Sequence, residues 1–295
     1  MTPQIDEDDE KRQERRPVID RWDAWRSLSA LTPARIGLGR AGAAQRTEVH
    51  LAFQAAHAAA RDAVHRPWDV DAFDREVAEL GLVVLRAKTQ ADGRQRYLRD
   101  PNLGRRLTAD SEASLSAARG NGAASSGPTV HPTESTRPDG ARPEGVPRPD
   151  VVLVVTNGLS ADGIARHGAG LVTALVASLE AAGLTLGPLV LAPEARVAIG
   201  DPIGACLDAR LVIVIVGERP GLSASDSVGI YLTYEPRPGR SDAERNCISN
   251  VHPPEGLDYA KAAAKTAWLA RQALARGLTG VDLKDESPDA LALVP

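Results

Sequence analysis

From residue 151 onward the sequence alternates apolar runs with helix-forming stretches, and that alternation constrains the fold more than any other feature. "VVLVVT" at 151–156 is an almost wholly apolar run closed by the turn pair Asn157-Gly158. A helical stretch, "ADGIARHGAGLVTALVASLEAAG", follows, and then come "PLVLA", a short helical "IGACLDAR", "LVIVIVGE" and "IYLTYEP". Such runs suit strands buried on both faces, which arise where helices cover a parallel sheet. "LDYAKAAAKTAWLARQALARG" at 257–277 predicts a long closing helix ended by Gly277. The expected class is α/β, a mostly helical N-terminal region followed by a Rossmann-like C-terminal domain with a mainly parallel sheet. In such a sheet ligands sit outside the carboxyl ends of the strands.

Upstream the pattern is different. Residues 1–16 are charged and expected to be disordered, after which Ile19, Trp22, Trp25, Leu28 and Leu31 recur every three residues as one apolar stripe. The stripe can pack on the chain's own core or on a partner. An alanine-rich periodic helix is expected from Arg46 to His65, stopping before Pro67, and a second from Val70 to Leu80. A short apolar run, "LVVLRA", and a helix broken at Pro101 and Gly104 follow. Residues 118–149 are dense in Gly, Pro, Ser, Thr and charge and read as a linker. The expected organisation is an arm with a short helix (1–33), a helical domain (34–117), the linker (118–149), the sheet domain (150–285) and a tail (286–295).

A net charge of −4 argues against a basic face able to neutralise a run of phosphates, so nucleic acid is not an expected partner. The N-terminus is charged where a signal peptide needs an apolar segment, and no apolar run reaches the roughly 20 residues of a membrane span. A cytoplasmic protein without a membrane partner is expected. The two cysteines, Cys206 and Cys247, form no C-x-x-C pair, and the six histidines show no metal-ligand spacing, so no metal site is expected.

"ARIGLGRAG" at 34–42 carries the G-x-G-x-x-G spacing of a dinucleotide-binding turn. The motif needs a buried strand ahead of it, and "SALTPARI" with Pro33 offers none, so Gly37, Gly39 and Gly42 read as turn glycines before a helix. Arg35, Arg40 and Arg46 leave it an anion-contact candidate, and a stand-alone nucleotide-binding enzyme stays open as an alternative.

The loops after the expected strands are "NGLS", "APEARV", "GERPGLSASDS" and "PRPGRSDAERNCISN". They supply Glu218, Arg219, Arg237, Arg240, Arg245, Asn246 and Cys247. Ser223 lacks the second glycine of a nucleophile elbow, and Cys247 with His252 would make a thiolate pair only with an orienting third group, which is not apparent. No catalytic set is therefore assigned to this chain, and a noncatalytic interaction protein is a third reading.

At these loops the chain resembles a known family, the small subunit of ethanolamine ammonia-lyase. The stretches that carry the resemblance are "ARIGLGRAG", "YLRDPNLGRRL", "VVLVVTNGLS", "RVAIGDPIGACLDARLVIVIVGERPGLSASDS", "YLTYEPRPGR" and "ERNCISNVHPP". It covers about Ala34 to Lys284 around a linker that looks expanded, and Asn157 stands where the family commonly carries aspartate. The resemblance implies an adenosylcobalamin enzyme converting ethanolamine to acetaldehyde and ammonia, with the main catalytic residues on a large partner subunit. The small subunit would help enclose the cobalamin at the interface of a hetero-oligomer, free in the cytosol or inside a bacterial microcompartment. Carried over residue by residue, the cofactor-binding residues would be Val197, Glu218 and Cys247, with Arg196 and Arg219 as further candidates for the nucleotide phosphate. His167 satisfies H-x-x-G, but Ala165 replaces the aspartate of the base-displacing motif D-x-H-x-x-G. The benzimidazole base is therefore expected to stay on cobalt.

Overall fold

Six strands form one mixed sheet, in the order β1 (Val84–Arg86), β3 (Leu186–Leu191), β2 (Val151–Thr156), β4 (Leu211–Gly217), β5 (Val228–Tyr234) and β6 (Asn246–Val251). The computed structural model describes residues 27–32, 34–119 and 148–287. Residues 1–26, which hold the charged arm and Ile19, Trp22 and Trp25, lie outside the described residues, as do most of the expected linker and tail. The chain divides into two units, one ending at His57 and one beginning at Ala58.

In the first unit Gly37, Gly39 and Gly42 take φ of 62°, 71° and 62°, which only glycine adopts without strain. Ala41 and Ala44 form an antiparallel bridge there, and Arg35 lies 5.8 Å over the Phe53 ring. Helix α1 (Thr47–His65) begins just after this turn. Helix α2 (Val70–Val77) opens with Asp69, whose carboxylate accepts from the Ala72 N–H.

Strand β1 (Val84–Arg86) comes from the "LVVLRA" run and pairs in parallel with β3 (Leu186–Leu191). The region 34–117, expected to be mostly helical, thus contributes an edge strand to the sheet. Helix α3 (Arg94–Arg99) and helix α4 (Ala109–Ala117), N-capped by Thr108, complete this half. Strand β2 (Val151–Thr156) pairs in parallel with β3 and with β4 (Leu211–Gly217), and all its residues are buried. A π-helical turn at Ile164–Gly168 leads into helix α5 (Ala169–Ala181), and helix α6 (Gly200–Cys206) joins β3 to β4.

The pairings of β1, β3, β2 and β4 are parallel as expected, but beyond β4 the sheet turns antiparallel. Strand β5 (Val228–Tyr234) runs antiparallel to β4, and β6 (Asn246–Val251), from a stretch expected to be loop, runs antiparallel to β5. The reason is the connection length. Residues 218–227 are too few for the dozen or more that a parallel crossover requires, and they contain no helix. Helix α7 (Tyr259–Arg276) closes the chain, capped by Asp258 at one end and by Gly277 at φ 70° at the other.

Two apolar layers flank the sheet. On the first face Leu153, Val155, Ile213, Ile230, Leu232 and Ile248 pack under α2, α5 and α7. Helices α5 and α7 approach closely because α7 presents Ala262, Ala263, Ala267 and Ala270, while Gly170 of α5 leaves room for the Tyr259 ring. On the second face Val152, Val154, Val212 and Val214 pack under Ile199, Ile203, Leu107 and Leu115, with Val197 and Tyr231 at the margin. Cys247 and Ser249 of β6 are exposed.

Candidate functional site

The carboxyl ends of β2, β3 and β4, where the topology places ligands, are closed by the chain itself. Asn157, fully buried, donates its side-chain amide to Glu194 Oε1 at 3.0 Å, and its Oδ1 accepts from the Glu194 N–H at 2.8 Å. Arg94 donates to Glu194 Oε2 at 3.0 Å and to the Gly158 carbonyl at 2.7 Å. The Tyr97 hydroxyl donates to the Ala195 carbonyl at 3.0 Å. Between β2 and β4, Gly217 packs on the turn so closely that a Cβ there would lie 2.0 Å from the Ser160 carbonyl. Burial pushes the Tyr97 phenol up, against the opposing pull of Arg196 and Arg94.

The sequence-selected side chains separate into structural and accessible groups. Arg245 is buried and pairs with Asp201. Arg240 binds Glu244 and the Tyr234 and Glu235 carbonyls. Asn246 donates to the Gly280 and Leu283 carbonyls, pinning the segment after α7. Arg196 stacks over Tyr97 at 6.0 Å, whereas Arg219, Ser223 and Arg237 are exposed. His167 is engaged at both ring nitrogens, by the Tyr259 hydroxyl at 2.7 Å and by Asp226 at 3.3 Å. His252 Nε2 pairs with Asn250 Oδ1 at 2.8 Å.

Val197, Glu218 and Cys247 come from three elements but share the second face of the sheet. Val197 opens the 3-10 turn Val197–Ile199 ahead of α6 and packs against that face's apolar layer. Glu218 directly follows β4; its Oε1 accepts from the Ser249 hydroxyl and its Oε2 from the Asn250 N–H at 3.2 Å. Cys247 stands opposite Tyr231 in the β5–β6 ladder. Gly229 lets the Glu218 carboxylate and the Tyr231 ring pack close over β5, since a Cβ there would lie 2.9 Å from Glu218 Oε1 and 3.2 Å from Tyr231 Cε2.

Partial desolvation lifts the Cys247 thiol above its usual range and the Glu218 charge adds to this, against the hydrogen bond from Tyr231. Desolvation likewise raises the Tyr231 phenol, reinforced by Cys247 and Glu218. A thiol kept protonated in this way is a poor nucleophile, so the Cys247–His252 pairing considered from the sequence is replaced by Cys247–Tyr231. Tyr231 and Ser249 escaped the sequence reading, although their place one strand over from Cys247 and two residues beyond it would have flagged them had β6 been recognised.

This face mixes an acceptor-only carboxylate, a phenol, a thiol and aliphatic surface. That set fits a broad, largely apolar ligand with amide-bearing arms, such as a corrin ring. Among the described residues no cluster of His, Cys, Asp and Glu could hold a metal ion, and no helix is long and apolar enough to cross a membrane. The glycine turn at 37–42 borders a concavity lined by Arg35, Leu38, Arg40 and Gln45. No strand precedes the turn among the described residues, so the dinucleotide-binding context is missing.

Comparison with known proteins accounts for nearly the whole chain. Residues 22–284 match the family model described as ethanolamine ammonia-lyase light chain (EutC). The chain is 46% identical over 262 residues to the ethanolamine ammonia-lyase small subunit of Rhodopseudomonas palustris (strain BisA53), covering 89% of this chain and 90% of that protein. It is 45% identical over 263 residues to the small subunit of Azotobacter vinelandii (strain DJ), covering 89% and 88%. It is 46% identical over 269 residues to that of Ralstonia nicotianae, covering 91% of each. A match of this extent and identity establishes that the chain belongs to the ethanolamine ammonia-lyase light chain family.

Proposed function

We propose that this chain is the cobalamin-enclosing subunit of an ethanolamine ammonia-lyase, paired with a large subunit that carries the reacting groups and binds ethanolamine. The supporting observation is that Glu218 and Cys247 stand beside exposed positions of β6, on the sheet face whose apolar layer Val197 borders. When bound, adenosylcobalamin supplies the radical chemistry that converts ethanolamine to acetaldehyde and ammonia.

The residues of this chain bind and orient. Glu218, held by Ser249 and by the Asn250 N–H, presents its remaining lone pairs to amide N–H donors of a corrin. Val197 supplies an apolar edge, and Cys247, its thiol kept protonated by partial desolvation, adds a small polarizable surface on β6. Both ring nitrogens of His167 are engaged, which supports a cofactor whose benzimidazole stays on cobalt.

The test is acetaldehyde release from ethanolamine and adenosylcobalamin by the large subunit with this chain present, absent or carrying Glu218→Ala. Activity is expected only with both chains, together with a raised cofactor requirement in the variant. Full activity of the large subunit alone would overturn the reading.

A further inference from the structure

We infer that Tyr231 is a fourth cofactor-contacting residue, whose hydroxyl provides the hydrogen-bond donor that Glu218 lacks. The inference rests on the proposed cobalamin site and adds a residue to it.

The argument is positional. Tyr231 sits between two of the residues assigned to that site: it pairs across the ladder with Cys247, and its ring and the Glu218 carboxylate pack side by side over Gly229. It also borders the apolar layer against which Val197 packs. It is half-buried, and its β6 neighbours Cys247 and Ser249 are exposed among the described residues. Tyr231 thus stands on β5, between β4, whose end carries Glu218, and β6, which carries Cys247.

Chemistry completes it. An ionised carboxylate only accepts, so Glu218 can take the N–H of a primary carboxamide but leaves its carbonyl oxygen without a donor. The Tyr231 O–H, directed at Cys247 in the free chain, is a neighbouring donor that can turn to such a carbonyl, so that carboxylate plus phenol together match both ends of an amide side chain. Gly229, having no side chain, lets the two groups come this close together.

The experiment uses the two-chain complex and cyanocobalamin, followed by equilibrium dialysis, with Tyr231→Phe, Cys247→Ala, their double variant and Glu218→Ala. Tyr231→Phe keeps the ring and is expected to weaken binding about tenfold with an unchanged melting temperature, in both the native and the Cys247→Ala backgrounds. Wild-type affinity in Tyr231→Phe, with Glu218→Ala impaired, would overturn the Tyr231 assignment while leaving the site intact. Disappearance of the Tyr231→Phe effect in the Cys247→Ala background would show that Tyr231 acts through Cys247, which also overturns it. Wild-type affinity in Glu218→Ala would remove the site itself, and this inference with it.

Discussion

Arg245 and Asp201 meet in a two-pronged ion pair, Nη1 to Oδ1 and Nη2 to Oδ2, both at 2.7 Å, with side chains only 2% and 4% exposed. The pair joins the start of β6 to α6, so it fixes the strand that carries Cys247 to the helix that follows Val197. Burial alone would lower the Arg245 pKa, but Asp201 and Asp242 raise it above its ordinary value. Arg245→Met leaves Asp201 buried without its counter-ion. It is expected to cost about 3–5 kcal/mol in urea unfolding, and a loss below about 1 kcal/mol would show the pair to be dispensable.

Asn157→Asp tests the closed strand ends. The amide now both donates to and accepts from Glu194; an aspartate would set two carboxylates face to face and raise the folded-state pKa of one of them. A raised folded pKa means stability is retained in acid and lost as pH rises through it. The variant is expected to be about 1–3 kcal/mol less stable than wild type at neutral pH. Thermal melts should show the gap closing on acidification.

Asp226 behaves in the opposite sense. Burial pulls its carboxyl upward, but Arg166 and His167 more than offset this, so its pKa lies below the ordinary value. Its contribution is present above the ordinary aspartate range and is lost as pH falls through the depressed folded value. Asp226→Asn should lower the melting temperature at neutral pH and flatten the acid-side decline below about pH 4. Amide exchange in residues 218–227 should speed up, because the loop loses its ties to Arg166 and His167.

Gly229→Ala introduces a methyl group 2.9 Å from Glu218 Oε1. The carboxylate end of a flexible side chain can swing away, at the cost of its bond to Ser249. Little change in stability is expected, together with about tenfold weaker cyanocobalamin binding by the two-chain complex. Ser249→Ala should reproduce the direction of the effect.

The central strands were legible because "VVLVVT" and "LVIVIVG" are buried on both faces and therefore read as apolar runs. Strand β6 was not, since "NCISNV" buries only Ile248 and Val251 and turns Cys247, Ser249 and Asn250 outward. The direction of β5 was hidden for a different reason: most of its residues are buried, as in a central parallel strand, and only the short helix-free connection before it marks the reversal. Of the candidate site, Val197, Glu218 and Cys247 were reachable through family motifs. Tyr231 was not, because what distinguishes it is its company, Glu218 from the end of β4 and Cys247 from β6, and that company exists only after the strands pair. The polar loop residues Arg245 and Asn246 pointed towards function in sequence but are consumed by Asp201 and by the segment after α7.

Among the described residues the second face at β5 and β6 offers a ligand a floor and no roof. In the complex proposed above the large subunit supplies that roof, so filling the site and joining the partner become two readings of one equilibrium. Linkage then runs both ways: a tighter hold on the ligand tightens the hold between chains by the same factor, and a ligand stripped away loosens the assembly. For this sheet, leaving an edge uncovered amounts to a coupling device.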